Sequence, residues 1–429
     1  MVKILLILFL IPFTSLGQGL LPGVVAVASR YTSNSKEYVD IPEAPTFSDP
    51  HTLAQATTGN GIQSGDTGGK VDFLVSGNYT FMQFNVVNSD NYRMMSLVSD
   101  EPDNWSIVGS PSPNDYSLDN INASHGLSLY RLRFEDSDNL IKWNGSDTLG
   151  TLKQFYFENL IFRNAGFGGV IINQNVSGDG YGKFTAKFLR FQGLGSERFY
   201  CGKTGTSVQF YMDTTTIEHC YMDSSKREAV QLNNHKYVKV SNITARHGGG
   251  AETPDQGIGQ KNGFQGQGIG AGYIRNSIFE AVAPGMVAST GLDLLNNRIM
   301  WTQTDRVLYF QDVENNDYHY KNVGDDTVVI DGNDFICPGF TETYVFWLQE
   351  KNCHYVITNN RLPPSATSIY RVDGDPPLSI TVSGNTFDSD TIDPVTYGNP
   401  PEPEYIGYEH VITSGYDYNR GRGYRTPSN

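Results

Sequence analysis

Cysteine is scarce. Four residues, Cys201, Cys220, Cys337 and Cys353, serve a chain of 429. No Cys-x-x-Cys occurs, which argues against a thiolate zinc site. An even count leaves two readings open, a pair of disulfides or free thiols stacked in a core. Long hydrophobic runs are missing as well. The apolar stretch Ile4 to Phe13 is too short to cross a membrane, and no second run approaches that length. Basic charge is short: 31 Lys and Arg against 46 Asp and Glu leave a net −15. That balance lacks the basic footprint of a general nucleic-acid binder.

What the chain does have points to strands. It carries 45 Gly, 25 Tyr and 23 Phe, with aromatics at 12%. Such usage, with few Lys and Glu, belongs to a β-rich protein. At the N-terminus, Lys3, an apolar core and then small residues give the layout of a secretory signal peptide over 1–18, cleaved near Gly17 or Gln18. A secreted or cell-surface location follows, with an N-terminal extension over 19–51.

Self-similarity decides the fold class. YVKVSNIT, GYIRNSIF, LDLLNNRI, TVVIDGNDF, HYVITNNRL and SITVSGNTF each run alternating apolar residues into an Asn. These Asn stand at 242, 276, 297, 333, 360 and 385, spaced 34, 21, 36, 27 and 25 residues apart. Uneven spacing excludes a strict repeat and suits a solenoid whose turns carry loops of different length. A second strand set precedes them: EAVQL, GMVAS, RVLYFQD, YVFWLQE and SIYRVDG, with GQGIG serving the remaining turn. LSLYRLRF, FYFENLIF, FTAKFLRF and TTIEHCYM read as earlier, more degenerate turns. Alternation turns Val238 and Val240 inward and Tyr237 and Lys239 outward. Asn at a fixed corner tolerates left-handed φ and bonds to its counterpart on the next turn, so these Asn are read as structural.

On these motifs the chain resembles the pectate-lyase-like superfamily over 52–392. The resemblance implies an all-β fold, a right-handed parallel β-helix with an N-terminal cap. The opening HTLAQATTGNGIQSGDTGGKVDFLVSGNYTF adds an amphipathic cap helix, Gly65-Asp66-Thr67, a strand, and Gly77-Asn78-Tyr79. This start is similar to the chondroitinase B and alginate lyase family. Beyond Pro394 the pattern stops, and the Pro-rich 393–429 is read as an irregular C-terminal cap or tail.

The stretch KREAVQLNNHKYVKVSNITARHGGG, 226–250, gathers basic and imidazole groups in an acidic chain. Elimination on a uronate sugar needs a base, neutralisation of the carboxylate and a proton for the leaving oxygen. The family resemblance implies a Lys and Arg pair with Ca²⁺ for this work. Lys226, Arg227, Arg246 and His247 are the candidate catalytic residues, and Glu228 is the candidate metal ligand. Lys239 and outward-facing Gln231 are candidate substrate contacts. So are the aromatics Tyr309, Trp347 and Tyr370, which fall on successive strands of the second set with Phe310. A solvated basic face and aromatic core stacking are the competing readings. Asp325-Asp326 resembles the paired aspartates of polygalacturonase-type hydrolases, but the companion motifs are absent and a turn explains it. The expected partner is an acidic polysaccharide or cell-surface glycan, bound by a lyase-like enzyme acting as a monomer. The alternative is a non-enzymatic adhesin, or a homotrimeric bacteriophage tail spike of the virion.

Overall fold

Short alternating segments separated by Asn and Gly corners cannot bury both their apolar face and their backbone edges alone. Each needs a neighbour of the same kind. The computed structural model describes residues 69–73, 78–80, 91–96, 105, 107–109, 116–118, 126–135, 139–145, 153–163, 168–174, 180–194, 199–201, 210–225, 229–248, 262–312 and 326–389. Among them 28 strands join one continuous hydrogen-bonded sheet, and every pairing is parallel. No helix occurs among the described residues, so none there is long and apolar enough to cross a membrane. An all-β, all-parallel, strand-rich arrangement of this kind is consistent with a parallel β-helix or solenoid.

The pairings sort into three columns, and one pass through all three makes a rung. In the rung at 230–248 the first column is the start of Val230–Ser241. A corner at Asn234 (φ 61°) follows, then the second column in the rest of that strand. A second corner at Asn242 (φ 55°) leads to the third column, Thr244–Gly248. The next rung repeats this in Phe264–Arg275 and Ile278–Ala281. The first column continues through Met286–Ser289, Leu308–Phe310, Tyr344–Leu348 and Ser368–Val372, which are the expected second strand set. The third column, including Arg298–Trp301 and Asp334–Ile336, was not separately foreseen.

The core runs between the columns. Val230, Leu232, Val238 and Val240 are fully buried while Tyr237 is 38% exposed, the expected alternation. In the third column Phe134, Phe162 and Phe191 occupy one register position on successive rungs. Their rings stack at 5.3 Å and 4.6 Å between centroids. His235, from the basic stretch, does not reach solvent: it is buried, its Nδ1 2.7 Å from the Thr215 hydroxyl. Cys220, Cys337 and Cys353 are buried thiols outside any disulfide. Two disulfides would need all four cysteines, so that reading is corrected in favour of core thiols.

The Asn corner divides into two roles that the sequence had merged. The left-handed positions are Asn242, Asn276, Asn296, Gly332, Asn359 and Gly384, and earlier rungs fill the place with Arg131, Asn159, Phe188 and His219. The following residue carries the ladder: Ser277, Asn297, Asn333, Asn360 and Asn385. The backbone N–H of Asn297 donates to Asn333 Oδ1 at 2.9 Å, that of Asn333 to Asn360 Oδ1 at 2.9 Å, and that of Asn360 to Asn385 Oδ1 at 2.9 Å. Each Nδ2 also reaches back to a backbone carbonyl, as from Asn333 to Leu294 at 2.8 Å. Asn242 and Asn276 therefore set backbone conformation, whereas the buried Asn297, Asn333 and Asn360 satisfy polar groups inside the core. Glycine is required at Gly272, where a Cβ would lie 1.8 Å from the Val238 carbonyl oxygen.

The expected signal segment, extension, cap helix and C-terminal tail lie outside the described residues. So do Gly65, Asp66, Thr67, Gly77 and Asp325.

Candidate functional site

The candidate residues of 226–250 that the structure describes fall on different columns. Gln231 lies in the first column, Lys239 in the second, where it is exposed, and Arg246 in the third, half-buried and in register with Asp223. His247 follows Arg246 in the same strand. Lys226, Arg227 and Glu228 lie outside the described residues. The reason is geometric: a corner at Asn234 and another at Asn242 turn the chain twice within the stretch. Residues close in sequence therefore lie on three different faces.

The first column does bring candidates together. Register pairs Gln231 with Gln265, Gln265 with Met286, Met286 with Tyr309, Tyr309 with Trp347, and Trp347 with Arg371. These residues form one row on the outer face of the column, because the positions beside them, Leu232, Val287, Phe310 and Leu348, point into the core. Successive members are spaced by the strand separation of about 4.8 Å. Two residues on, a parallel row includes Asn233 and Gln267, paired in register, and Gln311 and Gln349. Gln231 was expected to face solvent; it has outward parity but is only 8% exposed. Gln265 and Gln267 are similarly covered.

Tyr370 takes a different place. It is in register with Phe346 and packs against the core, so the outer row ends on Arg371. Phe310 is likewise core.

The middle of the row is an aromatic platform. The Tyr309 and Trp347 rings lie 5.0 Å apart at 51°. The Arg371 guanidinium sits 5.4 Å from the Trp347 ring centroid and 5.6 Å from that of Tyr344. Arg371 Nε donates to Asp373 Oδ1 at 2.9 Å, which fixes the guanidinium over the rings. The Tyr309 hydroxyl donates to Gln349 Oε1. Burial, then Asp312 and Asp373, push the Tyr309 phenol above its usual range, so it stays a neutral donor.

Several polar atoms on this face are buried without a hydrogen-bond partner among the described residues. They are Trp347 Nε1, Gln311 Oε1 and both amide atoms of Asn233, which is fully buried. Leaving such groups unmet inside the chain is costly. The repeating signal was legible: Q-L-N, Q-G-Q, Y-F-Q, W-L-Q and R-V-D place two outward residues around one core residue. Sequence reasoning picked the aromatics and Gln231 but missed Gln265, Gln267, Gln311, Gln349 and Arg371.

A second polar cluster lies on the second column. Glu158, Lys187 and Glu218 share one register position on successive rungs. Tyr156 donates to Glu158 Oε2 at 2.6 Å, and Lys187 Nζ lies 3.9 Å from Glu218 Oε2. Burial raises the Glu158 carboxyl above the usual carboxylate range. At 7% exposed, Glu158 is a buried structural acid. Among the described residues no group of three or more His, Cys, Asp or Glu is placed to hold a metal ion.

No family model, curated protein or solved structure matches this chain.

Proposed function

We propose that the chain is a right-handed parallel β-helix, secreted or displayed at a surface, that binds a polysaccharide along the outer face of its first column. The observation that supports this most is the part-exposed platform of Tyr309, Trp347 and Arg371. Flat rings stack on the apolar face of a sugar. A row repeating at each rung, about 4.8 Å apart, suits a polymer laid along the stack of rungs. Binding of this kind serves an adhesin or a virion tail spike as well as an enzyme.

A lyase activity, as the family resemblance implies, would add Lys226, Arg227, Arg246 and His247 as base and carboxylate-neutralising groups, with Ca²⁺ held at Glu228. Arg246 and His247 lie in the third column, away from the platform, and the platform needs none of these residues.

Affinity electrophoresis of the full chain in gels containing individual polysaccharides tests the reading. Retardation by at least one polymer is expected, and Trp347→Ala should weaken it about tenfold, the loss of one stacking contact worth ~1.4 kcal/mol. Retardation unchanged in Trp347→Ala would place the binding elsewhere. Release of unsaturated uronate, lost in Arg246→Ala, would instead establish the lyase.

A further inference from the structure

We infer that the outer face of the second column is a separate binding surface for an anionic polysaccharide, one that uses none of the first-column residues. The chain as a whole is acidic, at a net −15. One described stretch of the second column reverses that sign.

Register defines the stretch. Four consecutive rungs supply the segments 183–187, 212–218, 235–241 and 271–275. These carry the bases Lys183, Lys187, Lys236, Lys239 and Arg275 against the acids Asp213 and Glu218. Both acids are already met: Lys187 Nζ lies 3.9 Å from Glu218 Oε2, and Lys236 Nζ lies 3.6 Å from Asp213 Oδ1. Lys183, Lys239 and Arg275 form no ion pair among the described residues, and all three are exposed. Strand alternation puts them there, because Phe184, Val238, Val240 and Ile274 beside them are buried.

Aromatic rings accompany two of these cations. Tyr237, 38% exposed, stands two residues before Lys239 on the same strand. Lys239 is in register with Tyr273, whose ring centroid lies 4.4 Å from the Arg275 guanidinium and holds it in place. An exposed ring next to an uncompensated cation suits a sugar that carries an acid group. The positive face ends at the next rung, where Asp293 is in register with Tyr273 and accepts from the Val329 N–H at 2.8 Å.

Charge spacing selects among polyanions. Lys239 and Arg275 are one rung and two strand residues apart, and Lys183 and Lys239 two rungs and two residues apart. Those offsets correspond to about 8 Å and about 12 Å between backbone positions. A nucleic-acid strand carries a phosphate roughly every 3.4 Å, so most of its charges would meet no cation while approaching an acidic chain. A glycan with an acid group on only some of its sugars is charged more sparsely and fits the spacing.

The test uses the full chain on surfaces of immobilised dextran sulfate and of dextran, the same sugar without the charge, read by biolayer interferometry. Binding to dextran sulfate and not to dextran is expected, with affinity falling at least about fivefold from low to high NaCl. The exposed double variant Lys239→Glu/Arg275→Glu should lower it at least about tenfold, and Tyr237→Ala about threefold. Circular dichroism checks that each variant is folded.

No binding to dextran sulfate, or binding that the folded double variant retains, overturns the inference and leaves the first-column reading intact. Binding lost instead in Trp347→Ala places the anion on the first column and also overturns it. Equal or tighter binding to oligothymidylate or to phosphatidylserine vesicles overturns the assignment to a polysaccharide.

Discussion

Replacing Asn360 with leucine tests whether the inner ladder holds the rungs together. Asn360 is fully buried. Its Oδ1 accepts from the Asn333 backbone N–H at 2.9 Å and from Asn333 Nδ2 at 3.0 Å. Its Nδ2 donates to the Ile330 carbonyl at 2.8 Å and to Asn385 Oδ1 at 2.9 Å. Leucine has a similar volume, so packing changes little and the hydrogen bonds dominate. The Asn333 N–H and the Ile330 carbonyl each lose their side-chain partner in the core. Asn333 Nδ2 keeps its bond to Leu294.

An unmet buried group costs roughly 1–3 kcal/mol, so Asn360→Leu should destabilise by about 3–5 kcal/mol. Asn360→Ser should cost less, about 1–2 kcal/mol, because Ser277 already plays this part, its Oγ accepting from the Ile243 N–H at 3.1 Å. Urea unfolding of the full chain, followed by far-ultraviolet circular dichroism, measures both. Leucine within about 1 kcal/mol of the wild type, or serine as costly as leucine, would refute the claim that the ladder carries unsatisfied backbone groups.

Two further outcomes follow from buried titratable groups. Burial raises the Glu158 carboxyl above 4.5, with the Tyr156 hydroxyl, Lys187 and Arg131 opposing. The folded chain thus holds this proton more tightly than the unfolded chain. Its contribution to stability is present in full below pH 4.5 and is lost as pH rises through the folded value. Glu158→Gln should therefore raise Tm at neutral pH and flatten the decline above 4.5; an unchanged pH profile would refute this. Burial also pushes the Cys220 and Cys353 thiols up to about 12. At mildly alkaline pH, Cys220, Cys337 and Cys353 should react with a disulfide reagent only as the chain unfolds, and rapid native-state reaction of more than one thiol would contradict their burial.

The particular mistakes locate the limits of reading the chain. Asn297, Asn333, Asn360 and Asn385 were recognised, yet Asn242 and Asn276 were grouped with them although they sit one position earlier on their rungs. The motif V-S-N-I-T does not show whether its Asn takes left-handed φ or points inward. That depends on a one-residue register against the next rung. Tyr370 was grouped with Trp347 for the same reason: only the pairing of Phe346 with Tyr370 places it over the core.

By itself the sequence determined the class of structure. Alternating apolar residues ending on Asn or Gly, repeated at uneven intervals, leave no stable partner for each strand except the next copy, and parallel rungs follow. Scarce cysteine and a net −15 set the chemistry of its interior and surface. Only the tertiary structure decided which residues share a face. Two corners within 226–250 sent Gln231, Lys239 and Arg246 in different directions. Stacking brought Gln231, Tyr309 and Trp347 into one row from positions up to 116 residues apart. Sequence distance orders residues along a rung, whereas hydrogen-bond register between rungs orders them on a surface, and binding reads the surface.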